Sequence, residues 1–301
     1  MAASAPASPL AWTAAPGLVE NLKAHVTMLA ETIGQRNTQN PEGYKKAADY
    51  LDSTLSKLGY KVHRQTYQAG GHDSVNLWVE KPGSKEVLVI GAHYDSLDSG
   101  TPGADDNASG CAATLELARL LKDSKDGPTV RFVLFANEEP PFFQTNQMGS
   151  FVYAQGCQKA GESLLGMISL ESIGFYSDQA GSQQFPVGVS GYPDAGNFVA
   201  FVSDLTSKAF MERCLTGFQE ARTLHAEGLA APGMVSGIMW SDHWAFSECG
   251  YPALMITDTA PFRNPHYHMS TDTPDTLDYE KLAAVTEGTY QMILGMVPPA
   301  P

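Results

Sequence analysis

The stretch EVLVIGAHYD, residues Glu86 to Asp95, joins an apolar run to a polar ending. The run EVLVIGA is typical of a strand that is buried on both faces of a sheet. In α/β sheets of this kind, the carboxyl ends of the strands form the crevice in which ligands bind. His93 and Asp95 lie at this end, and their spacing along a strand points both side chains the same way. Asp95 can therefore accept the imidazole N–H of His93 and fix the tautomer that binds a metal ion.

Three later apolar runs repeat this pattern, and helical patterns lie between them. The runs are TVRFVLFA, LLGMISL and PALMITD, at residues 129–136, 164–170 and 252–258. Strands that alternate with helices predict a sheet that is covered on both faces. We therefore expect an α/β fold, a single-domain three-layer α/β/α architecture with a mixed, mostly parallel central sheet. The predicted helices are 16–34, 41–59, 107–122, 148–158, a long segment around 197–222, and 278–296.

The part of the chain before Glu86 is predicted to hold a lead-in, two helices and two strands. Residues 1–16 are rich in Ala, Ser and Pro and lack the basic region and apolar core of a signal peptide, so we expect a flexible lead-in. Residues 17–301 are assigned to one domain, since one α/β domain can reach this length. Tyr60–Tyr67 and Val75–Val79 alternate like half-exposed strands and are expected to pair antiparallel at one edge.

Composition excludes several classes of partner and site. The formal net charge of −14 makes nucleic acid and anionic membrane surfaces poor candidate partners. No run of about 20 apolar residues occurs, so we expect no membrane span. None of the four cysteines forms a CxxC pair, which argues against a thiolate zinc cluster. The sequence leaves open whether two of Cys157, Cys214 and Cys249 form a disulfide.

Polar residues with metal-binding chemistry follow each of the four buried runs. Because the carboxyl ends of parallel strands form one rim, we expect these side chains to meet there. The loop GADDNASG, residues 103–110, adds two aspartates just before a helix. Two histidines and several carboxylates with no nearby thiol suit zinc or a related divalent ion. The candidate residues are His93, Asp95, Asp105, Asp106, Glu138, Glu139, Glu171, His266 and His268.

Glu138 and Glu139 are adjacent carboxylates that directly follow an apolar run. Two like charges at the end of a buried strand are costly unless a cation or a proton compensates them. A cation there would make the pair tolerable, with one glutamate as a ligand and the other free as a base. Each motif alone also fits a surface pair or an ordinary Gly-rich turn. Their occurrence together, each at a strand end, favours a metal site.

The motifs together resemble those of the co-catalytic di-zinc aminopeptidases, whose fold is shared by glutaminyl cyclases and some carboxypeptidases. The resemblance spans about residues 40–298. It implies two divalent metal ions, with zinc as the first choice, and peptide substrates with a free N-terminus. It also implies a secreted or periplasmic location, because relatives are often exported. The segments that carry it are AHYDS, GADDNASG, FANEEPPFF, SLESIGFY and NPHYHMSTDTPDTLDY.

The resemblance implies a role for each candidate ligand. Asp106 matches the carboxylate that bridges both zinc ions, and the Asp106–Asn107 peptide bond is expected to be cis, as it often is in relatives. Many relatives have Asp where this chain has Glu171, and the longer side chain can change metal preference or occupancy. The other implied ligands are His93 and Glu171 on the first zinc ion, and Glu139 and His268 on the second.

The implied reaction is hydrolysis of the first peptide bond of a substrate. Glu138 matches the general base, which takes a proton from water and later protonates the leaving amine. Tyr267 matches a tyrosine whose hydroxyl stabilises the oxyanion. Asp95 matches the partner that orients His93.

Apolar and aromatic residues near the motifs predict a substrate pocket. Such a lining suits a large hydrophobic first residue such as Leu, Met or Phe, although aromatic side chains are as often part of a core. Arg263 could meet a substrate carboxylate or pair with a local aspartate. The candidate pocket residues are Phe142, Phe143, Met148, Phe175, Ile238, Met239, Trp240, Phe246 and Arg263.

Three other functions are compatible with the same scaffold. A glutaminyl cyclase would bind one zinc ion, but that branch normally alters the GADDNASG loop and has Trp where Tyr267 stands here. A non-catalytic peptide-binding domain would lack ligands, whereas this sequence has all of them. A carboxypeptidase acting on acidic peptides would need several arginines, and only Arg263 lies beside a motif. The oligomeric state is left open.

Overall fold

The structure, a computed structural model, describes residues 12–98 and 100–296. Within these residues it forms one sheet of eight strands with helices on both faces. The strands are β1 (His63–Ala69), β2 (His72–Lys81), β3 (Ser84–His93), β4 (Pro128–Phe135), β5 (Leu164–Glu171), β6 (Val199–Ser203), β7 (Ala226–Ala230) and β8 (Ala253–Thr257). The helices are α1 (Leu18–Val26), α2 (Pro41–Lys57), α3 (Gly110–Leu121), α4 (Gly149–Lys159), α5 (Lys208–Ala221), α6 (His243–Glu248) and α7 (Tyr279–Gly295).

The sheet is mixed, with strand order β1-β2-β4-β3-β5-β8-β6-β7. The four apolar runs of the sequence form its centre, where β4, β3, β5 and β8 are parallel neighbours. The β1–β2 pair is antiparallel at one edge, as predicted. At the other side, β6 runs antiparallel to β8 and parallel to β7. The carboxyl ends of the central strands therefore open on one rim.

The alternation of side chains along the central strands divides the apolar core into two layers. In β3, Leu88 and Ile90 belong to a cluster with residues of α1, α2, α3, α5 and α7. Val89 points to the opposite face, where the cluster includes residues of α4 and α6. Strands that bury both faces in this way must read as continuous apolar runs. The predicted three-layer α/β/α fold is confirmed.

The segment around 197–222, predicted as one long helical segment, instead divides into strand β6 and helix α5. Val199–Ser203 is buried throughout and pairs with both β7 and β8. Phe201 and Val202 lie in different apolar clusters, so both faces of this strand are covered. A short run that is apolar on both faces cannot be told from a buried helix by its periodicity alone. The turn before α5 is closed by Asp204, whose Oδ1 accepts the N–H of Ser207 at 2.8 Å.

Three smaller expectations concern the chain start, membrane spans and disulfides. Residues 1–11 of the predicted lead-in lie outside the described residues, and Trp12, Ala14 and Ala15 pack against the larger apolar cluster. Among the described residues, every helix is too short or too polar to cross a membrane. All four cysteines are buried and unpaired, so the structure contains no disulfide.

Candidate metal centre and substrate pocket

Five of the candidate side chains converge at the carboxyl ends of the central strands. His93 is the last residue of β3, and Glu171 is the last residue of β5. Glu139 follows the end of β4, and His268 lies in the loop after β8. Asp106 lies in the segment Ala104–Ser109, which leads into α3 and is kinked, with non-helical backbone angles, at Asp106 and Asn107. The parallel order of β4, β3 and β5 is what brings residues so distant in sequence together.

His93, Asp106 and Glu171 form one group of possible metal ligands. His93 Nε2 lies 3.2 Å from Asp106 Oδ1 and 3.2 Å from Glu171 Oε2. One ligand atom from each residue lies within 4.8 Å of the others. All three side chains are buried. This group can hold one divalent ion with one imidazole and two carboxylates.

Asp106, Glu139 and His268 form a second group beside the first. His268 Nε2 lies 3.2 Å from Asp106 Oδ2 and 3.5 Å from Glu139 Oε2. Their ligand atoms also lie within 4.8 Å of one another. Asp106 thus presents Oδ1 to the first group and Oδ2 to the second. One carboxylate therefore joins two adjacent groups.

Unpartnered polar atoms at this site fit a bound cation. Buried polar side-chain atoms in proteins almost always have hydrogen-bond partners. Here Nε2 of His93, Oδ1 of Asp106 and Oε1 of Glu139 are buried without one. Imidazole nitrogen and carboxylate oxygen are ligands of zinc and related divalent ions. The residues present therefore fit a divalent metal ion.

The electrostatics of the site also favour a cation. Burial raises the pKa of Glu138 and Glu139 well above the usual range, and neighbouring carboxylates raise it further. Burial likewise opposes ionisation of Asp106, but the imidazoles of His268 and His93, each with Nε2 at 3.2 Å from an Asp106 carboxylate oxygen, outweigh it and hold the pKa of Asp106 below the usual value. A divalent ion would favour the ionised form of every carboxylate here.

Glu138 lies beside both groups without belonging to either. Its Oε2 is 3.9 Å from His93 Nε2. Asp95 holds the backbone at this point, because its Oδ1 and Oδ2 accept the N–H groups of Glu138 at 3.0 Å and Glu139 at 3.1 Å. The Nδ1 atom of His93 lies closer to the backbone oxygen of Asp95 (3.1 Å) than to its carboxylate (3.5 Å). Asp95 therefore orients the glutamate pair as well as His93.

Two residues that sequence reasoning missed hold the ligands in place. Asp272 Oδ2 accepts the N–H of Asp106 at 3.2 Å, and Ser241 Oγ donates to Glu171 Oε2 at 2.7 Å. Asn107 Nδ2 also donates to Glu171 Oε2, at 3.2 Å. The peptide bond between Asp106 and Asn107 is cis, which confirms that expectation. Asp272 lies in the segment NPHYHMSTDTPDTLDY but was given no role there, and Ser241 lies outside the segments that carry the resemblance, so their spatial proximity reveals both roles.

Residues close to His268 in the same loop lie in different environments. The ring of Tyr267 stacks on that of His268, with centroids 3.9 Å apart and planes at 18°. Burial raises the pKa of Tyr267 above the usual range, so its hydroxyl keeps its proton. His266 instead lies 2.9 Å from Thr271 Oγ1 and belongs to neither ligand group. The candidate Asp105 accepts the N–H of Gly174 and is likewise outside both groups.

A predominantly apolar pocket lies next to the metal centre. Glu171 and Tyr267 line the pocket together with side chains of β6, β7 and β8. Ala200 of β6 contributes one of the small side chains of the lining and is buried. Segments near residues 183–192, 236–240 and 259–262 provide much of the remaining lining. The main apolar lining residues are Phe185, Val189, Phe198, Ala200, Val202, Leu229, Ile238, Trp240, Met255 and Phe262.

Most of the pocket residues expected from sequence lie elsewhere. Trp240 and Ile238 do line the pocket. Phe246 is completely buried in the core, where its ring lies 6.1 Å from that of Phe135. Met148 is also completely buried, immediately before α4. Met239 belongs to an apolar cluster that includes several lining residues, but it does not itself line the pocket.

The remaining expected pocket residues are placed by local contacts outside the pocket. The ring of Phe142 closes over Gly70, so closely that a Cβ at Gly70 would lie 3.1 Å from it. Phe143 is half-buried beside it, and Phe175 packs edge-on against His266 at 6.0 Å. None of these three lines the pocket.

Arg263 is buried and does not line the pocket, but it contacts two residues that do. Its Nε donates to Gln183 Oε1 at 2.8 Å, and its Nη1 donates to the backbone oxygen of Phe198 at 2.8 Å. The guanidinium carbon also lies 4.7 Å from the centroid of the Phe198 ring. Gln183 and Phe198 both line the pocket, so Arg263 supports the pocket wall from the side of the protein interior.

Several known proteins are similar to this chain in sequence or in fold. A curated relative, the uncharacterized protein YfbL of Escherichia coli (strain K12), is 36% identical over 284 residues, which cover 91% of this chain and 87% of that protein. A probable leucine aminopeptidase of Arthroderma otae is 28% identical over 215 residues, 67% of this chain, and the match spans 51% of that protein. The solved glutaminyl cyclase of Fimbriiglobus ruber has the same fold, with a TM-score of 0.70 and 22% identity over 96% of this chain and 99% of that chain.

The family itself follows from a match over most of the chain. Residues 76–293 match the model described as peptidase family M28. This range includes all five residues of the two candidate ligand groups. The family indicated by the sequence motifs is thereby confirmed, and the chain belongs to peptidase family M28.

Proposed function

We propose that this chain is a zinc-dependent aminopeptidase, which removes the N-terminal residue of peptides with the help of two metal ions. The observation that carries the proposal is the pair of adjacent ligand groups joined by the two oxygens of Asp106. His93 and Glu171 would complete the first site, and Glu139 and His268 the second. When bound, the ions would supply Lewis acidity, which lowers the pKa of water and polarises a carbonyl group.

Glu138 is the proposed general base. It is next to Glu139 in sequence, close to His93 in space, and outside both ligand groups, so its carboxylate remains available for proton transfer. It would take the proton of the attacking water and then deliver it to the leaving amine. The Tyr267 hydroxyl would donate a hydrogen bond to the oxyanion that forms from the scissile carbonyl.

The substrate class follows from the surroundings of the metal centre. The concentration of carboxylates favours a free α-ammonium group there, which would restrict cleavage to the first residue. The adjoining apolar pocket would receive the side chain of that residue, and its lining favours Leu, Met or Phe. A secreted or periplasmic location remains a prediction from the family resemblance, and cell fractionation tests it.

The direct test is the release of p-nitroaniline from leucine p-nitroanilide. We expect hydrolysis that stops on chelation and returns with added zinc. N-acetyl-leucine p-nitroanilide is the matched control, because it lacks the free amine and should not be cleaved. If zinc-loaded protein cleaves neither compound, the aminopeptidase proposal fails. Ammonia release from a peptide with N-terminal Gln would then support the alternative, a glutaminyl cyclase.

A further inference from the structure

Asn137, the residue between strand β4 and the two glutamates, has an unusual backbone conformation. Its φ is 59°, in the left-handed region that few residues other than glycine adopt, although Asn tolerates it better than most. Only 1% of its surface is exposed. The conformation of Asn137 turns the chain out of the strand, and it therefore sets the direction in which Glu138 and Glu139 leave the sheet.

The side chain of Asn137 is held by three hydrogen bonds from three different elements. Its Oδ1 accepts from the hydroxyl of Tyr44 on α2 at 2.7 Å. Its Nδ2 donates to the hydroxyl of Tyr67 on β1 at 3.0 Å and to Ser74 Oγ on β2 at 2.8 Å. The Tyr67 hydroxyl in turn donates to the backbone oxygen of Ala136 at 3.2 Å. The network therefore fixes the end of β4 as well as the Asn137 side chain.

The glutamate pair is thus constrained from two sides. On one side the Asp95 carboxylate accepts both backbone N–H groups of the pair. On the other side Asn137 is fastened to α2 and to the β1–β2 hairpin. The role of Asp95 follows from its contact with the metal centre, whereas nothing in the proposed reaction uses Tyr44 or Asn137.

We propose that Asn137 and the Tyr44 hydroxyl are positioning residues, which hold Glu139 in the second ligand group and Glu138 beside His93. The proposal rests on the proposed function for its catalytic consequence, but its effect on metal affinity is independent of that function. Residues that hold metal ligands in place typically change affinity or activity by about 10- to 100-fold when they are removed. A loss of this size, at the Glu139 site, is the expected signature.

The Tyr44 hydroxyl can be deleted with little change in packing. The Tyr44 ring stacks on that of Tyr94, with centroids 5.2 Å apart, and Tyr44→Phe keeps this contact. We expect kcat to fall about tenfold or more with little change in KM, because the pocket is untouched. We also expect one of two bound zinc ions to be held about tenfold more weakly in chelator competition. Tyr60→Phe is the matched control, since it removes a hydroxyl that donates to the backbone oxygen of Ala118, away from the metal centre.

A double substitution separates positioning from a general loss of stability. Asn137→Gly keeps access to the left-handed conformation but removes all three side-chain hydrogen bonds. We expect it to lower kcat and zinc affinity at least as much as Tyr44→Phe. Adding Tyr44→Phe to Asn137→Gly should then cause no further loss, because the hydroxyl acts only through Asn137.

Two outcomes would overturn the inference. One is an unchanged kcat and zinc affinity in Tyr44→Phe, and the other is an equal additional loss in the Asn137→Gly background. If Tyr44→Phe does not fold, Ser74→Ala tests the same network from β2 with the same expected losses. If the unaltered protein cleaves no peptide, the proposed function fails, and the zinc measurements still decide whether Asn137 positions Glu139.

Discussion

Two buried histidines of this protein lie in opposite electrostatic surroundings. His93 and His243 are both completely buried. Burial opposes a positive charge on His93, but the carboxylates around it, with Asp106 and Glu171 at 3.2 Å, raise its pKa well above the usual value. His243 Nε2 lies 2.7 Å from the backbone oxygen of Ile238, and its Nδ1 has no hydrogen-bond partner. Burial lowers the pKa of His243 to about 4.

The two histidines distinguish a charged region from a neighbouring apolar one. His93 lies in the metal centre, where a divalent ion would compensate the crowded carboxylates. His243 begins α6 close to Ile238, and Ile238 lines the apolar pocket. Burial alone therefore does not mark a functional histidine. The charge and spacing of its neighbours indicate whether it can bind a metal ion or only pack.

The largest effect is expected from removing a carboxylate beside His93. Glu138→Gln keeps the size of the side chain but removes the proposed base, so kcat should fall by about 10²- to 10⁴-fold. Zinc content should stay unchanged, because Glu138 belongs to neither ligand group. Leucine p-nitroanilide turnover and metal analysis measure the two quantities. Glu42→Gln, at an exposed position, is the control, and near-normal turnover in Glu138→Gln would refute its role as the base.

The charged region was largely predictable because its signals are local in sequence. Glu138 follows an apolar run, and such runs form the central strands in an α/β sheet. His93 and Asp95 are likewise adjacent to a strand that the sequence predicts. Asp95 was predicted as a partner of His93, but Asp272 was not, since it contacts the backbone of Asp106 across 166 residues of sequence.

The apolar region was much less predictable, for a physical reason. An aromatic residue in the sequence does not reveal whether it faces a cavity or a core. Phe246 lies in the core, and Trp240 lines the pocket, although both come from the same stretch of chain. Part of the pocket lining comes from β6, which the sequence assigned to a helical segment. Because β6 was not predicted as a strand, the pocket residues that it contributes were not predicted either.

A smaller effect is expected from filling the apolar pocket. Ala200→Leu would place a larger side chain in the pocket lining, so kcat/KM for leucine p-nitroanilide should fall by about 10- to 100-fold. Activity on alanine p-nitroanilide should be largely kept, because the smaller side chain needs less room. Steady-state kinetics on both substrates give the ratio. Ala209→Leu on the exposed surface of α5 is the control. An unchanged Leu-to-Ala ratio would exclude this pocket as the binding site for the first residue.

The smallest effect concerns His243 and appears only as a dependence of stability on pH. The pKa of His243 is about 4 in the folded chain against an ordinary value of 6.5, so the unfolded chain binds a proton first on acidification. This contribution to stability is present above pH 6.5 and is lost as the pH falls towards 4. Between about pH 7.5 and 5.5, the free energy of unfolding should therefore fall by about 1.4 kcal/mol more in the unaltered protein than in His243→Gln. Urea unfolding of metal-free protein at both pH values measures the difference, with exposed His72→Gln as the control. Equal losses in the unaltered protein and His243→Gln would mean that folding does not lower the pKa of His243. The proposed electrostatic contrast between His243 and His93 would then be wrong for His243.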